Sequence, residues 1–216
     1  MFTRRALLAT SLPIGASELF DGRSIRGWRA TGGGAFPERC WTVEDGCIKA
    51  QVSKPAFQDI RTVEEFGDFE LDFEWRISPN GNSGVKYLIY REDTFRAPGT
   101  DEFHARGRGF EYQVTDDAAA RTDLEEAGAL YGFLAPSVRK ARPVGEFNRA
   151  RIVRRGTLVE HWLNDSRVVS VDLGAAETLE RMRQRRVPAE FPRRSPIVLQ
   201  NHSSEAWFRH LRIRAL

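Results

Sequence analysis

Between Asp68 and Ser78 the chain alternates without a break. Phe69, Leu71, Phe73, Trp75 and Ile77 fall on one side of an extended segment, and Glu70, Asp72, Glu74 and Arg76 fall on the other. This period of two predicts a long strand with one buried and one wet face. Runs of similar character follow in VKYLIYR, GFEYQV, ARIVRR, LVEHWLN, RVVSVDL, PIVLQNH and FRHLRIRAL. SPNGNSG, NDS and RAPGTDEFHARGRG separate them with turn and loop chemistry. Only AAETLERMRQRR has a helical pattern, which predicts one short helix near the C-terminal third. Strands at such short intervals with almost no helix predict an all-β chain folded as an antiparallel sandwich or barrel.

The pattern leaves one question open in GRGFEYQVTDD, Gly107 to Asp117. Phe110, Tyr112 and Val114 share one face of that strand, and Glu111, Gln113 and Thr115 share the other. With the aromatics in the core, Glu111 and Gln113 either decorate a solvated surface or line a site.

A chain of 216 residues reads as one domain with a substantial core. Its start, MFTRRALLATSLPIGAS, has paired arginines before an uncharged apolar run of about eleven residues, too short to span a membrane. It resembles a twin-arginine export signal, so residues 1–17 are expected to be a leader to the periplasm or exterior and residues 18–216 the domain. Beyond the leader no membrane-spanning segment is expected. Without Arg4 and Arg5 the balance is 31 basic to 30 acidic groups, which leaves no electrostatic footprint for nucleic acid. The arginines of LERMRQRRVPAEFPRR are offset by Glu177, Glu180 and Glu190 and read as a solvated helix and loop. Cys40 and Cys47 flank WTVEDG. A hairpin turn at EDG sets Cys47 opposite Val43 or Glu44, so two free thiols are expected and a disulfide needs a different local geometry.

Eight segments in register resemble the 3-keto-disaccharide hydrolase domain family: ELFDGRSIRGW, WTVEDGCI, FGDFELDFEWRI, PNGNSGVKYLI, GFEYQVTDD, AGALYGFL, GEFNRARIVRRGTLVEHWLN and SPIVLQNHSSEAWFRHLRIRAL. The family's usual Trp-Asn is Phe147-Asn148 here, and its Asp-His is Asn201-His202. The resemblance implies a jelly-roll sandwich of the concanavalin A lectin and glucanase type. It also implies a hydrolase acting on glycosides or disaccharides oxidised at C3, with a non-catalytic carbohydrate-binding module as the alternative.

A 3-keto group acidifies the C2 hydrogen and places the glycosidic oxygen β to a carbonyl. Cleavage can then run by proton abstraction, elimination and rehydration, unlike the oxocarbenium route of paired carboxylates. Such a site needs a base, donors at the enolate oxygen and an acid for the leaving oxygen. On the resemblance, Glu111, Lys86, His161 and His202 are the candidates for those roles. Gln113, Gln200, Asn82, Tyr131, Trp162 and Asp116 are candidates for holding the sugar. Strand parity pairs Glu111 with Gln113 and Gln200 with His202, as a groove wall would, and gives His161 apolar neighbours. Glu111, His161 and His202 would also suit a divalent metal acting as Lewis acid, although no ligand spacing is diagnostic and no cofactor is firmly implied.

Overall fold

The computed structural model describes residues 15–53, 57–97, 101 and 103–216. Most of the expected leader therefore lies outside the described residues. Among the described residues thirteen strands form two antiparallel sheets packed face to face. In chain order they are β1 (Ala16–Glu18), β2 (Trp28–Ala30), β3 (Trp41–Glu44), β4 (Cys47–Ala50), β5 (Ile60–Thr62), β6 (Phe69–Ile77) and β7 (Asn82–Arg96). There follow β8 (Phe103–Thr115), β9 (Asn148–Arg155), β10 (Leu158–Leu163), β11 (Ser166–Asp172), β12 (Val198–Asn201) and β13 (Ala206–Ala215). The expected helix is α1, Ala176–Gln184. The fold is the β-sandwich that the alternation and the resemblance predict.

The larger sheet runs β11-β10-β9-β6-β13-β4-β3, with β1 also paired to β13. The smaller runs β2-β5-β12-β7-β8. The strict alternation of β6 becomes strict alternation of burial, odd positions from Phe69 to Ile77 being covered. Against them stand the aromatics of the smaller sheet: Phe73 meets Tyr112 edge-on at 5.4 Å, and Phe69 meets Tyr87 at 6.2 Å. Each such side chain contributes about 1.5–3 kcal/mol through burial. On the outer face of β6, Asp72 accepts from Arg151, while Glu74 and Glu70 accept from Arg209 and Arg214. An acidic strand between two basic ones is a cross-strand charge match that helps fix register.

Asp45 and Gly46, both at positive φ, close the β3–β4 hairpin and set Cys47 opposite Glu44. Cys40 and Cys47 are both buried, and no disulfide joins them. Two expected loops are strand instead. Asn82, Ser83 and Gly84 begin β7, and His104 to Gly109, read as loop, belong to β8. In both, small or charged residues masked the strand signal.

The β7–β8 ladder shifts register between Tyr87 and Arg91, where Leu88 takes a left-handed φ of 51°. Such a bulge raises local twist. The two strands approach closely there: a Cβ at Gly109 would lie 2.4 Å from the Tyr87 carbonyl oxygen and 2.8 Å from Ile89 Cδ1. Gly109→Ala should therefore lower stability by about 1–3 kcal/mol. A fall in the urea midpoint at constant m-value would show it, and an unchanged midpoint would mean that the strands separate freely.

Candidate active site

The outward face of the smaller sheet holds the polar candidates, and the register explains why. Lys86 on β7 is directly opposite Glu111 on β8, Gly84 is opposite both Gln113 and Gln200, and Val198 on β12 backs Lys86. The segment 127–131 extends the sheet past β8 through hydrogen bonds between Gln113 and the backbone of Gly128 and Ala129, and from Tyr131 N–H to the Glu111 carbonyl. That pairing sets Tyr131 on the same face as Glu111. Tyr112 and Phe110 turn inward to the core, so the two faces of GFEYQ divide as packing and site.

A cleft of about 320 Å³ opens on this face, with Lys86, Glu111, Gln200, Tyr131, Asn82 and His202 among its walls. A second cleft of about 410 Å³ adjoins it and shares Asn82, Tyr131 and His202, adding Gln113, Arg121 and Glu125. Glu111 lies across the floor because residue 84 has no side chain: a Cβ there would stand 2.2 Å from Glu111 Oε1.

Beneath the cleft is an ion pair. Lys86 Nζ donates to Asp59 Oδ2 at 2.8 Å, and Asp59 is fully buried, its Oδ1 accepting from Asn201 N–H at 3.1 Å. Glu111 Oε2 stands 4.0 Å from the same Nζ. Gln200 links the groups when its amide is oriented to satisfy both, the nitrogen donating to Glu111 Oε1 at 3.2 Å and the oxygen accepting from Lys86 Nζ at 3.2 Å. Two carboxylates thus share one ammonium. Burial, opposed by Lys86 and reinforced by Asp59, raises the Glu111 carboxyl to about 7. His202, at the cleft rim 6.0 Å from Phe57, is held below the ordinary imidazole value by burial and then by Arg106. Burial and the Glu111 charge raise the Tyr131 phenol, which keeps it a donor.

Seven of the ten candidates meet here: Glu111, Lys86, His202, Gln200, Gln113, Asn82 and Tyr131. Three do not. His161 is a core residue between the sheets, its Nε2 2.7 Å from the Tyr87 hydroxyl and its Nδ1 2.9 Å from the Gly128 carbonyl, with burial lowering its pKa to about 4. Its apolar neighbours on β10 were the sign of that inward face. Trp162 belongs to the outer face of the larger sheet, where its indole donates to Glu160. Asp116 caps a 3₁₀ turn, accepting from Ala118 and Asn80 N–H groups.

The supposed metal set of Glu111, His161 and His202 does not assemble, because His161 is on the other side of the sheet. Among the described residues no three His, Cys, Asp or Glu side chains converge as ligands.

Sequence reasoning missed two residues. Asp59 gave no more signal than a lone acid before Ile60, at the start of β5. Arg106 is five residues from Glu111, an odd spacing that should put it on the opposite face. The bulge opposite Gly109 twists the ladder and brings Arg106 to the same cleft.

The profile of the 3-keto-alpha-glucoside-1,2-lyase-like domain matches residues 15–214. The chain belongs to this family. The 3-keto-alpha-glucoside-1,2-lyase-like family match thus begins just before β1 and ends within β13. A Bacteroides thetaiotaomicron protein named 3-keto-disaccharide hydrolase is 29% identical over 236 residues, covering 95% of this chain and 81% of the relative. A crystal structure from Parabacteroides distasonis, provisionally described as a glycosyl hydrolase, superposes with a TM-score of 0.74 at 27% identity over 94% of each chain. A Bacillus subtilis protein with a galectin-like fold gives a TM-score of 0.53 at 11% identity, covering 93% of this chain and 94% of its own, a likeness of fold alone.

The raised carboxyl makes a stability prediction for this family member. An ordinary glutamate loses its proton near 4.5 when the chain unfolds, whereas folded Glu111 holds it to about 7. Between those values the folded state binds more protons, so stability falls as pH rises and the full cost is present above 7. Glu111→Gln should be more stable than the parent at pH 8.5, by on the order of 3 kcal/mol, and close to it at pH 4. Urea unfolding at the two pH values measures this, and an equal difference at both would mean that Glu111 is not the titrating group.

Proposed function

We propose that this chain cleaves the glycosidic bond of a 3-keto-glycoside by elimination and rehydration, with Glu111 as the base. The observation that carries this reading is a single carboxylate poised near neutrality on the floor of a polar cleft. Family membership and the name of the Bacteroides relative support a carbohydrate hydrolase. The family's description as 3-keto-alpha-glucoside-1,2-lyase-like fits bond breaking across C1 and C2.

In this mechanism the Glu111 carboxylate removes the C2 proton, and the C–H electrons become the C2–C3 double bond as the carbonyl takes up negative charge. That charge returns to form the C1–C2 double bond and expels the oxygen on C1, which leaves with a proton as an alcohol. Water then adds across C1–C2, its hydroxyl at C1 and its proton at C2, to give the free 3-keto sugar. Lys86, fixed by Asp59, keeps Glu111 from rising beyond use as a base. Gln200 aims the Glu111 carboxylate through its amide. His202 and Tyr131, shared by both clefts, are in this reading the proton donors to the departing oxygen, with the leaving group in the second cleft. A non-catalytic carbohydrate-binding module needs hydrogen bonders and aromatic faces, and has no use for a carboxylate held near 7.

The test offers purified protein an aryl glucoside, intact and as its 3-keto derivative. Release above the spontaneous background is expected from the 3-keto form alone, with kcat/KM rising through about pH 7 as Glu111 ionises. Glu111→Gln should lower kcat by about 10²–10⁴-fold while the protein stays folded. Release from the intact glucoside, or full activity in Glu111→Gln, would sink the mechanism. The twin-arginine-like start further supports an exported enzyme, which a fusion to a periplasm-dependent reporter would test.

A further inference from the structure

The elimination creates an anion, and Lys86 is poorly placed to receive it. Its ammonium is already held by Asp59 at 2.8 Å and by the Gln200 oxygen at 3.2 Å, with Glu111 at 4.0 Å. Two arginines also line the cleft, and of these Arg108 is paired with Asp93. Arg106 forms part of the cleft wall, and its charge lowers the proton affinity of both Glu111 and His202.

Arg106 is held by rings and not by an acid. Its guanidinium lies 4.6 Å from the centre of Phe57 and 5.5 Å from that of Phe95. His104 packs between the same two rings, at 4.1 Å and 4.9 Å, and binds the Phe57 backbone through Nδ1. Among the described residues no carboxylate pairs with Arg106, and its Nε is a buried donor without a partner. A guanidinium fixed by stacking on the wall of a polar cleft, with no carboxylate among the described residues to match it, is prepared for an anionic partner.

The anion that C2 abstraction makes has a particular shape. The C2 hydroxyl and the C3 oxygen become substituents on one ring double bond, coplanar and side by side. A guanidinium offers parallel N–H donors in a plane, which match a pair of adjacent coplanar oxygens. The tetrahedral C2 of the substrate does not hold its oxygen in that plane.

We infer that Arg106 is a catalytic residue of the elimination, its planar fork binding the paired oxygens of the cis-enediolate formed when Glu111 takes the C2 proton. This deepens the reading above and rests on it. Because the match is complete only after proton removal, Arg106 acts on kcat more than on KM.

The test uses Arg106→Lys, which keeps a charge but not the fork, beside Arg106→Ala, both checked by thermal melting. The lysine variant keeps the test open should the alanine variant fail to fold. With the 3-keto aryl glucoside, Arg106→Lys should lose about a hundredfold in kcat with KM changed by less than about threefold. Ascorbate, a ring-held enediolate, should compete with substrate in the parent and bind at least about tenfold more weakly to Arg106→Lys. A kcat within about threefold of the parent, or equal ascorbate inhibition of both proteins, overturns the role of Arg106 and leaves Glu111 standing. No turnover by the parent overturns both.

Discussion

The Asp59–Lys86 ion pair governs this structure's chemistry. A carboxylate with no exposed surface must be matched, and here it is matched by one ammonium and one backbone N–H. Such a pair is a poor source of net stability, since desolvation offsets most of its attraction. Its effect is on the neighbour. Burial drives the Glu111 carboxyl to hold its proton, and Lys86, fixed in place by Asp59, pulls it back toward neutrality while the Asp59 charge offsets part of that pull. The pair also joins the start of β5 to β7, and through Asn201 to the end of β12, so it fixes the floor that Glu111 crosses.

The same strands serve two opposed environments. On β8, Phe110 and Tyr112 seat the smaller sheet on the larger one, and Glu111 and Gln113 line the clefts. Rigidity on the inner face therefore locates the polar groups on the outer one. Asn201 shows how specific this is. Its amide donates to the carbonyls of Cys40 and Gln51 while its oxygen accepts from Ser203 N–H. An aspartate there would face two carbonyl oxygens with nothing to donate.

The sandwich was legible because its signals are local. Alternation in β6, the Asp45-Gly46 turn and the one amphipathic helix each depend on neighbours in sequence. The polar pairs of β8 and β12 were legible by parity, and parity also warned that His161 turns inward. Asp59 and Arg106 were not legible. The role of Asp59 comes from a lysine 27 positions away in the chain. Arg106 reaches the cleft only because the bulge at Leu88 upsets the period of two. Trp162 was misplaced because an aromatic on a wet strand face looks the same whichever sheet it belongs to.

Both sheets place their latest strands near their centres: β13 stands between β6 and β4, and β12 between β5 and β7. A ribosome building this chain from its N-terminus delivers every edge strand before either of these. β6 and β4 have no common partner until β13 is made, and β5 is joined to β7 within its sheet only once β12 is made. Completion of both sheets is thus deferred until β12 and β13 have been made, because these two strands hold the halves of each sheet together.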